Sequence, residues 1–415
     1  MPREVTHLSI AAILLVLGAT GAMAQSTPAP AQSTIAPAES TLVSATLEQR
    51  MLPPEIDEFT ATLFEGYEQP GAGVAVDVYQ LFIRSLHPSG VETEVRVQLF
   101  VPDLAAVEVR GAYLFAPGST GLINPCRASR EHEAGIRWGL YRAHVLAFAG
   151  NGFVGILPDY QSYEDWNLIQ PYFHAESEAR VVQDAIRAVD EFLEETIPGG
   201  LSNLTRVASG FSQGGHAAFA AADRNADLPE DLRLHGIIGY GSTTEIAPLF
   251  LQYPQLAPMV VQAFADIYGS DRFDPFAILL PEWAETLEYD TTRQCVGGIQ
   301  SYYPESASDL FDPFFLKSLY AQTLDQTHPE IAAILADNSS GLTDHGVPAL
   351  ILQGTDDIVI DRWDQDEFVI ALRELGSHVK YYVYEGSRHD TRQIAFPAVV
   401  EWIINLQPAR LGAAD

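Results

Sequence analysis

Ser212 is the residue of this chain whose surroundings most resemble those of a nucleophile. It lies in the string Gly210-Phe211-Ser212-Gln213-Gly214-Gly215, a G-x-S-x-G pattern with one further glycine. A short apolar run at 206–209 precedes the pattern, and a segment of small, helix-forming residues at 216–222 follows it. Between a strand and a helix, such a pattern makes a sharp turn that lifts the serine hydroxyl above the edge of the sheet. The helix would point its N-terminal amides at the same place, so the predicted chemistry is nucleophilic attack on a carbonyl group.

A serine needs a base to accept its proton and an acid to orient that base, and both are predicted downstream. The base is His389, on the loop that follows the β-rich run at 380–384. The acid is Asp357, in a polar turn that follows an apolar strand, with the neighbouring Asp356 as the alternative. Both aspartates could instead shape the turn or cap a helix near Asp361.

Three other histidines are weaker candidates for the base. His345 precedes the strand that carries the acid, and His378 begins the next strand. His216 lies inside the helix that follows the nucleophile, where a packed or supporting role is expected.

Two backbone N–H groups are needed to hold the oxyanion that forms during attack on a carbonyl. The first is predicted to be that of Gln213, directly after the nucleophile. The second is predicted in the turn Pro117–Gly121 after the early strand Tyr113–Ala116, with Ser119 as first choice and Thr120 as second. Losing one such donor typically lowers the rate by about 10²–10³. The alternative role for this segment is an ordinary turn at a strand end.

Strands that alternate with helices are predicted to position these residues. This alternation is typical of an α/β fold with a mostly parallel sheet covered by helices on both faces. The first strands have no helix between them, which predicts an antiparallel start. The predicted strands are Val78–Ile83, Val95–Val101, Ala112–Ala116, Phe153–Leu157, Val207–Phe211, Gly236–Tyr240, Ala349–Gln353 and Val379–Tyr384. The predicted helices are Glu131–Phe148, Glu176–Glu195, Gln213–Ala222, Trp363–Leu375 and Gln393–Leu406.

Residues 243–343 interrupt this alternation with apolar, mainly helical sequence, at Ile246–Ile267 and Pro313–Leu324. Because the block falls between two strands of the sheet, we expect a helical cap over the site. A plain helical subdomain is the alternative. The sheet domain would then comprise residues 47–242 and 344–415.

The first 24 residues have the features of an export signal: Arg3, the apolar core Leu8–Ala19, and the cleavage pattern Ala22-Met23-Ala24. The apolar core is too short to span a bilayer as a stable helix, although an uncleaved anchor is the alternative. Residues 25–46 are rich in Ser, Thr, Pro and Ala and are predicted to be a flexible leader. The mature protein is therefore expected to be secreted or periplasmic, without an integral membrane segment.

The composition of the chain argues against several classes of binding partner and cofactor. The formal net charge of −32 argues against nucleic acid and against anionic membrane surfaces. The two cysteines, Cys126 and Cys295, predict one disulfide in an oxidising compartment. The sequence contains neither an H-E-x-x-H motif nor paired C-x-x-C motifs, so no metal site is predicted and the chemistry requires no cofactor.

Several strings together resemble those of the secretory lipase family of α/β-hydrolases, the fungal lipase A-like enzymes and their bacterial relatives. The similarity spans about residues 75–405 and includes the regions of Asp357 and His389. It is carried by His174–Arg180, by the string at 210–218, by Ala116–Gly121 with the following Cys126 and by Leu157–Tyr160, and it is most specific at Glu176–Arg180 and Ser212–Ala217. The resemblance implies the α/β-hydrolase fold, ester hydrolysis through an acyl-enzyme and a helical lid in the inserted block. It also implies a disulfide from the turn after the oxyanion loop to that lid, matching Cys126 and Cys295.

The function predicted from these observations is that of a secreted serine carboxylesterase or lipase. The apolar cap favours ester substrates with an apolar acyl or aromatic group. A secreted serine peptidase of the prolyl-oligopeptidase type is the first alternative, although the sequence before residue 75 leaves no room for the propeller domain usual there. A binding protein that keeps the fold without the chemistry is the second alternative.

Overall fold

A ten-stranded sheet is the centre of the structure, a computed structural model that describes residues 3–4 and 40–406. Its strands are β1 (Arg3–Glu4), β2 (Leu42–Met51), β3 (Val76–Leu86), β4 (Glu92–Pro102), β5 (Ala112–Ala116), β6 (Val154–Pro158), β7 (Arg206–Phe211), β8 (Gly236–Tyr240), β9 (Ala349–Gly354) and β10 (Val379–Tyr384). They lie in the order β1-β10-β9-β8-β7-β5-β6-β4-β3-β2. The six strands from β10 to β6 run parallel, and β4, β3 and β2 continue the sheet antiparallel, which confirms the predicted antiparallel start.

Helices cover both faces of the sheet, as the alternating pattern predicts. They are α1 (Pro53–Thr60), α2 (Tyr141–Gly150), α3 (Ala175–Leu193), α4 (Gln213–Asp223), α5 (Ile246–Gln252), α6 (Ala257–Tyr268), α7 (Pro275–Ile278), α8 (Pro281–Ala284), α9 (Leu287–Thr291), α10 (Val296–Tyr302), α11 (Pro313–Tyr320), α12 (Leu324–Thr327), α13 (Pro329–Asp337), α14 (Arg362–Glu374) and α15 (Arg392–Asn405). In the part of the chain that the structure describes, none of these helices is both long and apolar enough to cross a membrane.

Strand β5 shows how the sequence divides the core between the two faces. All five of its residues are buried. Leu114 packs in the core shared with α3, α4 and α14, whereas Tyr113 and Phe115 pack in the core shared with α1, α2 and α15. Because successive side chains of a strand point to opposite faces, a continuous apolar run is required where helices cover both faces.

The block between β8 and β9 folds as a helical insertion with its own core. Helices α5 to α13 pack around buried residues that include Phe250, Phe264 and Phe311. The rings of Phe250 and Phe311 stack with centroids 5.6 Å apart. The insertion therefore buries its apolar residues largely within itself, next to the sheet domain.

Two parts of the structure differ from the sequence-based predictions. The predicted flexible leader, residues 25–46, ends too late, because residues 42–46 belong to β2 and pair with β3. Most residues of β2 are exposed, so the strand has no apolar pattern that would reveal it. Apart from residues 3–4, which form β1, the predicted signal peptide at 1–24 lies outside the described residues.

The predicted helix at 131–148 begins only at Tyr141. The Glu131 carboxylate accepts hydrogen bonds from the N–H groups of Gly139, Leu140 and Tyr141, at 2.7, 2.7 and 2.9 Å. Leu140 has a left-handed backbone with φ +53°. Glu131 therefore caps the N-terminus of α2 from outside the helix. The chain between Glu131 and Tyr141 is not part of the helix.

Candidate active site

Ser212 lies in the tight turn between β7 and α4. Its backbone has φ +55° and ψ −115°, a strained conformation for a residue with a side chain. A Cβ on Gly210 would collide with the carbonyl group of Gly214, and a Cβ on Gly214 would collide with that of Ala116. The Ser212 N–H donates to Tyr240 O at the end of β8, at 3.0 Å. The turn therefore depends on glycine on both sides and is anchored to the neighbouring strand.

The structure brings His389 and Asp357 together at the carboxyl ends of β9 and β10. The Nδ1 of His389 lies 2.8 Å from Asp357 Oδ2. The other carboxylate oxygen, Oδ1, accepts the N–H groups of Val359 and Ile360 at 2.8 and 3.0 Å. Asp356 is exposed and instead accepts a hydrogen bond from its neighbour Thr355. Of the two adjacent aspartates, only Asp357 contacts the histidine.

The environment of Asp357 keeps its carboxyl group ionised. Burial raises the pKa of this group. The hydrogen bond and the charge of His389, together with the two backbone N–H groups, lower the pKa by more than burial raises it. The net pKa lies below the ordinary value for aspartate. An ionised Asp357 accepts a hydrogen bond from the N–H at His389 Nδ1, which leaves Nε2 of the same ring free to act as a base.

Packing holds the His389 ring close to the turn that carries Ser212. The ring centroid lies 4.7 Å from that of Phe211, the residue directly before Ser212. The ring also lies against Gly241, where an added Cβ would be 2.9 Å from His389 Nδ1. Within the described residues, Ser212 Oγ and His389 make no direct hydrogen bond. Catalytic hydrogen bonds are often long in unliganded enzymes and tighten when substrate binds.

The three other candidate histidines lie elsewhere. His345 precedes β9, where its Nδ1 accepts the N–H of Val347, and His378 directly precedes β10. Both are therefore at the amino ends of the strands, on the opposite edge of the sheet from Ser212. His216 is fully buried in α4 and bonds to Glu178.

The predicted oxyanion donors lie on two elements that contact each other. Gln213 is the first residue of α4, and the loop 117–121 follows β5. At Gly118 an added Cβ would be 2.9 Å from the Phe211 ring, so this loop packs against the turn. In the described part of the chain, the backbone N–H groups of Gln213 and Ser119 have no hydrogen-bond partner within the protein.

Ser119 and Thr120 differ in how they are held. The Ser119 hydroxyl lies 2.6 Å from Tyr172 OH, and the residue is partly exposed. Thr120 is buried, and its hydroxyl lies 3.1 Å from Tyr163 OH. Its carbonyl accepts the N–H of Val296 from the insertion, at 2.8 Å. The hydroxyl and the carbonyl of Thr120 are thus bonded, whereas its backbone N–H, like that of Ser119, has no partner among the described residues, and Ser119 is the more exposed of the two.

A buried ion pair supports the histidine loop and has no signal in the sequence. Arg392 is 1% exposed, and its guanidinium donates to both carboxylate oxygens of Asp390, at 2.9 and 2.6 Å. Burial raises the pKa of Asp390, but the charge of Arg392 outweighs it and brings that pKa to about 2. The same guanidinium lies 4.8 Å from the centroid of the Phe211 ring, on which His389 also packs. No pattern near residue 390 identifies these contacts, because the aromatic partners come from other elements.

The predicted disulfide between Cys126 and Cys295 is confirmed. Cys126 lies in a short helical turn after the loop 117–121, and Cys295 immediately precedes α10 of the insertion. An isolated β-bridge between Gly121 and Cys295 runs beside the bond. The bond therefore ties the segment after the loop 117–121 to the insertion.

A groove lies between the insertion and α14, and the residues that line it do not include Ser212, Asp357 or His389. One part, of about 400 Å³, is lined by Thr243 and Ile360 among other residues. The N–H of Thr243 donates to Ser212 O, at 3.3 Å, and that of Ile360 to Asp357. A second part, of about 530 Å³, shares residues such as Pro248 with the first, and its apolar lining includes Leu251, Leu319, Leu324 and Leu335.

Comparison with known proteins identifies the family. A family model described as serine aminopeptidase, S33, matches residues 170–393, more than half of the chain. The chain belongs to this family. The matched region of this S33-family hydrolase contains Ser212, Asp357 and His389 and ends just after the histidine. No curated protein matches the sequence.

Several solved structures share the fold of this chain. The rice cell wall degrading esterase LipA from Xanthomonas oryzae is similar with a TM-score of 0.70 and 19% identity, over 89% of this chain and 97% of that one. A putative hydrolase from Legionella pneumophila has a TM-score of 0.68 at 15% identity, over 88% and 96%. Candida antarctica lipase A in its closed state has a TM-score of 0.64 at 15% identity, over 88% and 81%.

The similarity confirms the α/β-hydrolase fold and the predicted resemblance to lipase A-like enzymes. Together with the family, it makes this protein a hydrolase. Among the described residues, no group of three or more His, Cys, Asp or Glu side chains could hold a metal ion.

Proposed function

We propose that this protein is an exported serine carboxylesterase of the lipase type. The observation that carries the proposal is the hydrogen bond of 2.8 Å between His389 Nδ1 and Asp357, beside the turn that carries Ser212. A serine, an aspartate and a histidine in this chain order, each following a strand of one sheet, are the parts of a catalytic triad in an α/β-hydrolase.

In the proposed reaction, His389 Nε2 accepts the proton of Ser212 as its Oγ bonds to the ester carbonyl carbon. The backbone N–H groups of Gln213 and Ser119 hold the resulting oxyanion. When the carbon–oxygen ester bond breaks, His389 donates the proton to the leaving alcohol, and an acyl group remains on Ser212. Water then attacks the acyl-enzyme with His389 again as base, which releases the carboxylic acid.

The groove supports an ester with an apolar acyl or aromatic group as substrate. Thr243 and Ile360 line its first part and donate hydrogen bonds to Ser212 O and to Asp357, and its second part is lined by leucines of the insertion. An acyl chain bound there would lie beneath residues 243–343, which would serve as a lid. The LipA structure is named for an esterase, which favours ester chemistry for this chain too.

Export rests on two features of the chain. Residues 1–24 have the pattern of a cleavable signal peptide, and the disulfide between Cys126 and Cys295 is of a kind that persists in oxidising compartments. We therefore assign the mature protein to the periplasm or the medium. The acidic surface implied by the net charge of −32 disfavours nucleic acid as a partner.

A second candidate function is peptide hydrolysis, which the family description favours because it names an aminopeptidase. The same triad would act on an amide instead of an ester, so the site residues do not separate the two activities. The leucine-lined part of the groove is the observation that places ester hydrolysis first.

Hydrolysis of two matched substrate series by the wild type and Ser212→Ala tests the proposal. The series are p-nitrophenyl esters from acetate to palmitate and p-nitroanilides of single amino acids. We expect turnover of the esters, at least about 10³-fold less in the variant, because the nucleophile is lost. Anilide turnover without ester turnover would establish the peptidase instead. No turnover of either series by folded protein would contradict both and point to a non-catalytic binding protein.

A further inference from the structure

A second carboxylate–histidine pair lies directly behind the proposed oxyanion site. Glu178 and His216 are 1% and 0% exposed, and His216 Nδ1 lies 2.6 Å from Glu178 Oε2. The two residues lie in the strings at 176–180 and 212–217, the most specific parts of the family resemblance. The proposed reaction makes no use of either side chain.

The hydrogen-bond partners of His216 and Glu178 fix how many protons the two side chains hold together. His216 Nε2 lies 2.6 Å from the carbonyl oxygen of Asn338, which can only accept, so this nitrogen carries a hydrogen. Nδ1 faces the Glu178 carboxyl group, and one further proton is shared across that contact. The pair is neutral overall, whichever atom carries this proton, which makes its complete burial tolerable.

Glu178 also contacts the first oxyanion residue. Its Oε1 accepts a hydrogen bond from Gln213 Nε2 at 2.7 Å. Gln213 is buried, so its side chain cannot move out into solvent. Because the proposed oxyanion donor is the backbone N–H of the same residue, Glu178 fixes the first turn of α4 on which that donor lies.

The same carboxylate oxygen reaches the second oxyanion residue through two neighbours. Oε1 also accepts the N–H of Phe173, at 3.0 Å, and Phe173 has a left-handed backbone with φ +57°. The adjacent Tyr172 has its hydroxyl 2.6 Å from Ser119 Oγ. One buried carboxylate thus holds Gln213 directly and Ser119 through the segment 172–173.

We infer that Glu178 is the positioning residue of the oxyanion site, because its buried carboxylate fixes both proposed donors and His216 balances its charge. This inference rests on the proposed nucleophilic role of Ser212 but not on ester as the substrate. It predicts that loss of Glu178 impairs the chemical step and leaves substrate binding largely intact, since the groove residues are untouched.

The variants Glu178→Ala and Glu178→Gln test the inference in the full-length protein, with Asp190→Ala as the matched control. Asp190 lies on the same helix, α3, and accepts a backbone N–H from Leu201 far from the site. Four quantities are measured: kcat, KM, the rate constant for phosphonylation of Ser212 by a fluorophosphonate, and Tm. The burst of product in the first turnover of an ester gives the concentration of active sites, to which kcat is normalised.

For Glu178→Ala we expect kcat per site and the phosphonylation rate to fall by about 10²-fold, because a misplacement of about 1 Å can have that effect. KM should stay within about 2-fold. Glutamine can still accept hydrogen bonds from Gln213 and Phe173 and can donate one to His216. For Glu178→Gln, kcat per site and the phosphonylation rate should therefore stay within about 10-fold of the wild-type values. Asp190→Ala should lower Tm without changing either rate per site.

An unchanged kcat per site and phosphonylation rate in Glu178→Ala would overturn the inference. If that variant does not fold, Gln213→Ala removes the side-chain tether alone and keeps the backbone N–H. It should then slow phosphonylation by about 10-fold, and an unchanged rate would likewise overturn the inference. A wild type that reacts with the fluorophosphonate but hydrolyses no ester refutes the esterase alone. A wild type whose Ser212 does not react refutes both proposals.

Discussion

Two histidines of this chain each contact a carboxylate, and their surroundings give them different roles. His389 is 18% exposed at its side chain and contacts Asp357 at an edge of the sheet where substrate can reach it. His216 is 0% exposed, and both of its ring nitrogens are occupied by Glu178 and Asn338. A general base needs one free nitrogen that faces the substrate, so only His389 is suited to that role.

The adjacent aspartates provide a prediction at the residue scale. Asp357→Asn should lower kcat by up to about 10⁴-fold, because an amide at this position favours the wrong tautomer of His389. Asp356→Asn is the matched control, since it changes the same charge one residue away on an exposed side chain. The kcat of Asp356→Asn should stay within about 2-fold of the wild-type value, because Asp356 does not contact His389. Steady-state hydrolysis of a p-nitrophenyl ester by the two variants measures the difference. Equal losses in both would show that the Asp357–His389 contact does not orient the base.

The sequence predicted individual site residues where their role depends on local context. Ser212, Asp357 and His389 each follow a recognisable strand, and their chain order fits one sheet. The roles of Glu178 and Arg392 could not be predicted, because their partners come from distant segments. Glu178 bonds to Gln213, and Arg392 lies over Phe211. Neither contact leaves a pattern in the neighbouring sequence.

At the scale of elements, buried strands were predicted most accurately. The bounds predicted for β5, β8 and β10 are those of the structure. For β5 and β8, which are buried along their whole length, apolar runs between turns mark strands covered on both faces. Strand β2 was missed because it lies at the edge of the sheet and exposes most of its residues. The late start of α2 was missed because it depends on the carboxylate of Glu131, outside the helix.

The turn between β7 and α4 provides a prediction at this scale. Gly214→Ala places a Cβ against the carbonyl group of Ala116, so the turn and the strand must separate. We expect it to lower the free energy of unfolding by about 1–3 kcal/mol and to reduce kcat. Denaturant unfolding and ester hydrolysis check the two effects.

Gly297→Ala is the control for that substitution. Gly297 lies in α10, and an added Cβ there would have no atom within 4 Å. Alanine in a helix should raise the free energy of unfolding by about 0.4–1 kcal/mol and leave kcat unchanged. A Gly214→Ala variant as stable and active as Gly297→Ala would contradict the close packing described for the turn.

At the scale of the whole molecule, the sheet and the disulfide bring distant segments to one site. Parallel strands β5, β7, β8, β9 and β10 end at one edge, which collects residues from 119 to 389. The bond between Cys126 and Cys295 closes a separation of 169 residues and joins the segment after the loop 117–121, the proposed oxyanion loop, to the insertion. Helices α5 to α13 lie between β8 and β9 in the chain, so β9 and β10 of the sheet come after the insertion.

The disulfide provides a prediction at this scale. The variant Cys126→Ser/Cys295→Ser should lose about 2–5 kcal/mol of unfolding free energy, because a long loop is no longer closed in the unfolded chain. Calorimetry with and without a thiol reductant measures this. The reductant should lower the Tm of the wild type and leave the double variant unchanged. An equal Tm for the oxidised wild type and the double variant would contradict the predicted contribution.

The central claim, that Ser212 is a nucleophile activated by His389, is tested most directly by intact-mass and peptide mass spectrometry after treatment with a fluorophosphonate. We predict one adduct per wild-type chain, on the peptide that contains Ser212. Ser212→Ala should form none, and His389→Ala should form it at least about 10²-fold more slowly, because the serine has lost its general base. An adduct on another residue, or a rate on Ser212 that is unchanged in His389→Ala, would contradict the account.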